Sequence, residues 1–284
     1  MALGMVLLSA GFHAGWNLLA RQASDKLTFL WLQMALAAGA LALPCLFLSA
    51  PDPRAYPFAL LSGLLQTAYY LLLAQTYTCA AVSRVYPLTR GSAPLFVCLL
   101  SLAAGDKAVT AAMLPPIFLI VLGLYGINLE GWGRRRLLAP LRTLAKEPRT
   151  RLSLLNGLVI AAYTLTDGRT VRYADPLWIY FWISVIPAAL LAPAMLRQGR
   201  IRREWKRDGL RAAAVSALTF AAYALVLLAM RRGSAACVSA VREVSIVFVT
   251  LYARFVLREK MPAVKLLSSA VIFLGILLLD LGPR

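Results

Sequence analysis

Ten apolar stretches, each about as long as a bilayer is thick, divide this chain and limit what it can fold into. A membrane span needs roughly 20 mostly apolar residues. The candidates run 3–20, 27–48, 57–79, 85–104, 109–129, 152–168, 176–196, 210–230, 235–257 and 262–281. Breaks fall at Pro51-Asp52-Pro53, at Gly105-Asp106-Lys107, along the basic stretch Gly131 to Arg151, and at Asp175-Pro176. The hydrocarbon core holds no water to satisfy backbone N–H and C=O groups, so spans of this length must be helices. The expected fold class is all-α: a polytopic membrane protein of ten transmembrane helices. Composition excludes a soluble domain. Some 61% of residues are hydrophobic and 15% charged, against about 25% charged in soluble domains, and the mean hydropathy is +0.73.

The net charge of +18 invites a nucleic-acid reading, which the distribution of charge rejects. Arg134-Arg135-Arg136 and Arg202-Arg203 flank apolar spans, where basic residues fix topology and meet anionic headgroups. Counting each loop with its flanks, the loops 1–2, 3–4, 5–6, 7–8 and 9–10 carry 20 lysines and arginines. The alternate loops and the termini carry 7. Positive-inside places the first set in the cytoplasm and both termini on the far side. The first span has no basic lead and is followed by Arg21, so it is expected as a mature helix and not a cleaved signal. Cys45, Cys79, Cys98 and Cys237 are scattered through apolar spans without a CxxC pair. They read as core thiols, and no metal site or cofactor is expected.

The chain also reads twice. Asp106-Lys107 and Glu259-Lys260 close matching apolar stretches 153 residues apart, and at that offset Tyr70 falls on Tyr223 and Ser92 on Ser245. The expected division is a first five-helix repeat at 1–130, a basic cytoplasmic linker at 131–151 and a second repeat at 152–284. Five is odd, so the repeats insert with opposite orientation. Inverted repeats of this kind build many secondary transporters, with the site near mid-membrane.

Polar residues inside spans mark the candidate site, because the bilayer makes them costly. His13 and Asn17 lie one turn apart on the first span, with Gly11 and Gly15 beside them. Laying Asp25 on Asp175 matches His13 to Tyr163 and Asn17 to Asp167. Asp167 lies near a span end, and an interfacial position is slightly favoured over a cavity. Arg90 sits on the order of 10 Å inside the fourth span at 1.5 Å per residue, and its mate is Glu243, next to Arg242. Tyr70 and Tyr223 are candidates to line a cavity, while Trp178, Tyr180, Phe181 and Trp182 read as an interfacial aromatic belt. The candidate substrate-binding set is His13, Trp16, Asn17, Tyr70, Arg90, Tyr163, Tyr223 and Arg242. The proton-coupling candidates are His13, Asp167 and Glu243.

These residues resemble the drug/metabolite transporter superfamily, in particular its EamA-like ten-helix permeases. The resemblance rests on His13-Ala14-Gly15-Trp16-Asn17, on Ala161-Ala162-Tyr163-Thr164 leading to Asp167-Gly168, and on the paired helix ends at Gly105-Asp106-Lys107 and Arg258-Glu259-Lys260. The family often carries glycine-glutamate at those ends; here Asp106 and Arg258 depart from it. The resemblance implies an inner-membrane carrier with a cavity lined by helices 1, 3, 4, 6, 8 and 9.

The expected function is a secondary active transporter: a proton-coupled exporter or exchanger of a small anionic or zwitterionic metabolite, working by alternating access. Its partners would be the solute, the bilayer and a proton or other coupling ion, and it would work as monomer or homodimer. A flippase for a lipid-linked or amphiphilic substrate is the alternative. An enzyme is not expected, since GxSxG and HExxH are absent and the chain has one histidine. Energy must come from gradients, because GxxxxGK[ST] is also absent.

Overall fold

Helices account for the regular structure in a computed structural model of the chain, which describes residues 2–20, 22–78, 82–106, 109–127, 129, 131, 133–138, 148–196, 199–256, 258 and 262–281. The side chains of 2, 76–78, 82–91, 134–135, 148–150, 249, 253 and 280–281 fall outside that description. The long helices are α1 (Ala2–Ala20), α2 (Lys26–Leu46), α3 (Ala55–Thr78), α4 (Val82–Ala103), α5 (Leu114–Ile127), α6 (Pro148–Thr170), α7 (Pro176–Leu196), α8 (Arg200–Met230) and α10 (Ala263–Leu281). Between the last two, α9a (Ala235–Arg242) and α9b (Val244–Phe255) form one interrupted helix.

Among the described residues six stretches are long and apolar enough to cross a membrane: those in α1, α2, α3, α7 and α8, and the run through α9a and α9b. Shorter apolar stretches lie in α4, α5 and α10. The burial pattern differs from that of a water-soluble bundle. Leu43, Phe47, Leu60, Phe118 and Phe255 face outward, while Gln33, Asn156, Asp167 and Glu243 are buried. In lipid the apolar side chains need no shelter and the polar ones do.

Helix starts follow local chemistry. The Asp25 carboxylate caps α2 by accepting from the Thr28 amide (3.2 Å) and hydroxyl (2.7 Å). Asp175 does the same for α7, accepting from the Leu177 amide at 2.8 Å, and Pro176 supplies a first residue that has no N–H to lose. Two helices depart from their expected bounds. The eighth span was expected at 210–230, but α8 begins at Arg200, after Gly199 with φ +58°. Hydropathy marks where the bilayer begins, not where the helix does, and Arg, Glu and Lys are good helix formers. At 31 residues α8 is roughly 46 Å long, so its basic first third projects beyond a ~30 Å core. The ninth span, expected whole, breaks at Glu243, whose amide turns back to the Ala240 carbonyl at 3.2 Å. Of the expected core thiols, Cys98 is buried and Cys45 and Cys237 are half-buried, all three free; Cys79 lies outside the described residues.

Helix packing follows a regular pattern. α1 packs on α8 as α6 packs on α3, α2 packs on α8 as α7 packs on α3, and α2 pairs with α7 and α5 with α10. Exchanging α1–α5 for α6–α10 turns each of these contacts into another of the set. The α5–α10 pair approaches through small residues, as lipid-embedded helices do. A Cβ at Gly123 would meet Ile272 at 2.6 Å, and one at Gly275 would meet Ile120 at 2.8 Å and the Pro116 carbonyl at 2.9 Å.

Two turns share a backbone conformation at the 153-residue offset. Gly105 (φ +66°) and Arg258 (φ +53°) are both left-handed. Gly105 ends α4 with paired turn bonds, its own amide to the Leu102 carbonyl and the Asp106 amide to the Ser101 carbonyl, each 3.0 Å. Arg258 holds the same conformation with a Cβ, at a cost of about 1–2 kcal/mol. Replacing Arg258 with Gly should therefore raise the unfolding temperature in detergent, and Gly105→Ala should lower it. Gly123→Leu or Gly275→Leu should destabilise by about 1–3 kcal/mol, while Gly4→Leu, with nothing within 4 Å, should leave stability unchanged.

Candidate functional site

The inward faces of α1, α3, α6, α7, α8 and α9a enclose a cavity of about 40 Å³ near the middle of the bundle. This is little more than the volume of one water, whose share of liquid is about 30 Å³, so the cavity is narrow. Its wall is aromatic. Tyr163 packs edge-on against Tyr69 (5.7 Å between centroids) and tilts against Tyr223 (6.4 Å), and Tyr180 lies 6.1 Å from Tyr223. Tyr70 accepts from Gln33 Nε2 at 3.3 Å. On α1 the Trp16 Nε1–H donates to His13 Nδ1 at 3.0 Å. An accepting Nδ1 carries no proton, so the neutral ring holds its proton on Nε2.

One cation faces this wall among the described residues. Arg242, 7% exposed, ends α9a and places its guanidinium 5.8 Å from the centre of the Tyr223 ring. No carboxylate among the described residues is in ion-pair contact with it. Behind Tyr223 lies Asp167, fully buried. The Ser62 hydroxyl donates to its Oδ1 at 2.5 Å, and the Tyr223 hydroxyl donates to its Oδ2. Asp167 therefore ties α6 to α3 and α8 through two hydroxyls, and Tyr223 stands between the acid and Arg242.

The candidate residues divide by position. His13, Trp16, Tyr70, Tyr163, Tyr223 and Arg242 line the cavity. Asn17 is buried, but its side chain turns back to donate to the His13 carbonyl of its own helix at 2.8 Å. Glu243 is buried at the joint between α9a and α9b, off the cavity wall. The Arg90 side chain lies outside the described residues. The interfacial position slightly favoured for Asp167 is corrected: packing of α6 against α3 and α8 turns its carboxylate inward. The aromatic belt is corrected at Tyr180, which is buried on the cavity wall, and at Trp178, buried edge-on against Tyr56. The contact of α7 with α2 and α3 holds that face inside. α7 also joins the wall, beyond the helices the resemblance implied; the α4 side chains at 82–91 lie outside the described residues.

Further wall residues include Gln66, Thr219 and Ser184. Gln66 and Thr219 are separated by the same 153 residues as Tyr70 and Tyr223, so the repeat offset carried a signal that could have found them. Ser62 had none, because its mate at that offset is Val215.

The family model of the EamA-like transporter family matches residues 151–280. The second half of the chain belongs to the EamA-like transporter family. No curated protein matches it significantly. Among solved structures 28 chains match; one, a crystal structure of a protein 14% identical, covers 98% of this chain and 95% of its own, with a TM-score of 0.72. That likeness shows a shared fold along nearly the whole length. The EamA-like chain is thus a multi-pass membrane protein of a transporter family, not an enzyme, and its partners are a small-molecule substrate and the membrane.

Hydrogen bonds to a charged acceptor are worth about 1.5–3 kcal/mol each. Ser62→Ala and Tyr223→Phe should each destabilise the EamA-like bundle by about that much in thermal unfolding. In an Asp167→Asn background each should cost less than half as much, because the charge is gone. A double-mutant cycle reads the difference directly.

Proposed function

We propose that this chain is a secondary active transporter of a small anionic or zwitterionic metabolite, in which Arg242 receives the oxyanion of the solute and Asp167 carries the coupling proton. The observation that carries this reading is the buried guanidinium of Arg242, facing a tyrosine-lined cavity. An opposite charge, Asp167, stands behind Tyr223, not against the guanidinium. A buried cation needs compensation. In the empty site an ionised Asp167 provides it at one remove, through the Tyr223 hydroxyl. When a solute carboxylate or phosphate reaches Arg242, the site holds one negative charge too many, and protonating Asp167 restores neutrality. Anion and proton then bind together and move together, in the direction their combined gradients set, as exporter or exchanger.

Alternating access needs interior surfaces that are wet in one state and closed in another. The α6 face carries such a surface. Neither amide atom of Asn156 finds a hydrogen-bond partner among the described residues, nor do the hydroxyls of Ser153 and Thr164, and all three residues are fully buried. Each such group costs about 1–3 kcal/mol, which opening to water relieves. We read residues 1–130 and 152–284 as the two inverted halves that rock about the site, joined by the linker 131–151. The chain sits in the inner membrane with both termini outside, as monomer or homodimer.

Comparing metabolite profiles of cells with and without the chain would identify the accumulating solute, and proteoliposomes loaded with it and a pH dye test the roles. Arg242→Gln should lower transport by the equivalent of about 2–5 kcal/mol. Asp167→Asn should keep solute exchange and abolish the accompanying proton movement. Full coupled transport in both variants contradicts the assignment. A cysteine at position 156 should be labelled by a membrane-permeant thiol reagent faster during turnover than at rest.

A further inference from the structure

A second cavity, of about 500 Å³, opens where the C-terminal ends of α4, α6 and α8 meet the N-terminus of α9a. Cavities that hold small ligands run to roughly 300–1,000 Å³, so this one has the room that the narrow central cavity lacks. Arg169, Arg172 and Arg231 line it, with Asp106 on its wall. Arg231 is partly engaged. It donates to the carbonyls of Val171 (3.3 Å) and Ala174 (2.8 Å) and lies 3.8 Å from Asp175. Arg169 and Arg172 are exposed, and neither guanidinium has an ion-pair or hydrogen-bond partner among the described residues.

Two further features point the same way. Ser101 is 1% exposed and lines the cavity, and its hydroxyl has no hydrogen-bond partner among the described residues. The N-terminus of α9a, capped by Ser234, directs its positive end at the same space. The arginines also stand where topology does not ask for them. Their loops belong to the set poor in lysine and arginine, and positive charge there opposes the orientation bias. Arg169, Arg172, Arg231 and Arg232 are four of the seven basic residues in that set, and three of the four line one cavity.

We propose that this vestibule is an oxyanion-binding site, which takes a phosphate or carboxylate group between Arg169 and Arg172, with the Ser101 hydroxyl as a third donor. Paired guanidiniums suit such groups because each offers a planar fork of donors to two oxygens. The site is built independently of the central cavity. Its role as the station from which a solute passes to Arg242 rests on the transport reading above. α6 and α8 connect the two: Tyr163 and Tyr223 line the central cavity, and Gly168 and Met230 line the vestibule.

The test is calorimetric titration of inorganic phosphate, and separately of succinate, into the full-length protein in phosphatidylcholine nanodiscs. At least one should bind saturably. The double variant Arg169→Gln/Arg172→Gln should weaken that binding roughly ten-fold or more. Arg54→Gln/Arg232→Gln removes two charges from the same loop set outside the cavity and should weaken it less than about three-fold. Ser101→Ala should weaken it without removing any charge. No saturable binding of either probe, or equal loss in the two double variants, overturns the site. So does loss in Arg242→Gln with retention in Arg169→Gln/Arg172→Gln, which would place the anion in the central cavity and leave the transport reading standing. Repeating the titration with phosphatidylglycerol in the nanodiscs separates the sources. Competition identifies a lipid headgroup as occupant, and unchanged affinity identifies a soluble anion.

Discussion

The structure depends on one buried carboxylate. Asp167 is fully buried and is held by hydroxyls from two other helices, Ser62 on α3 and Tyr223 on α8. An acid in that position is expensive unless its acceptor sites are filled. The Tyr223 hydroxyl is therefore committed to Asp167 and its ring face is left to Arg242. A single tyrosine thus connects the two charges that compensate each other. Anything that changes one charge is felt by the other through a side chain that also forms part of the cavity wall.

α5 and α10 meet through Gly123, Gly126 and Gly275, a contact of close backbones and small residues that gives a firm joint in lipid. α1 packs on α8 as α6 packs on α3, so the helices that carry His13 and Asp167 each lie against a helix of the other half. The central space is narrow while the vestibule beyond Gly168 is roomy.

The helices were legible in the sequence because bilayer thickness and hydropathy are one-dimensional signals. The break at Asp175-Pro176 marked one helix start, where a side-chain oxygen is placed to accept from the first turn. The extension of α8 back to Arg200 was not legible from hydropathy, because charged helix formers continue a helix into water without an apolar trace. The site was legible in part. His13, Trp16, Tyr70, Tyr163, Tyr223 and Arg242 reach the cavity because polar and aromatic groups inside spans must face inward. Asn17 did not, since an amide four residues along a helix can satisfy itself on its own carbonyls. Asp167 and Tyr180 were misplaced for one shared reason: depth along a helix says nothing about which neighbour covers it. Ser62, the partner of Asp167, had no mark at all.

The central claim is that an anion at Arg242 and a proton on Asp167 bind together. Calorimetric titration of the purified chain with its solute, in buffers of different ionisation enthalpy, measures proton uptake on binding. The account predicts uptake approaching one proton per anion in the unmodified protein at neutral pH and none in Asp167→Asn. Binding of equal affinity without proton uptake, or unchanged uptake in Asp167→Asn, would contradict it.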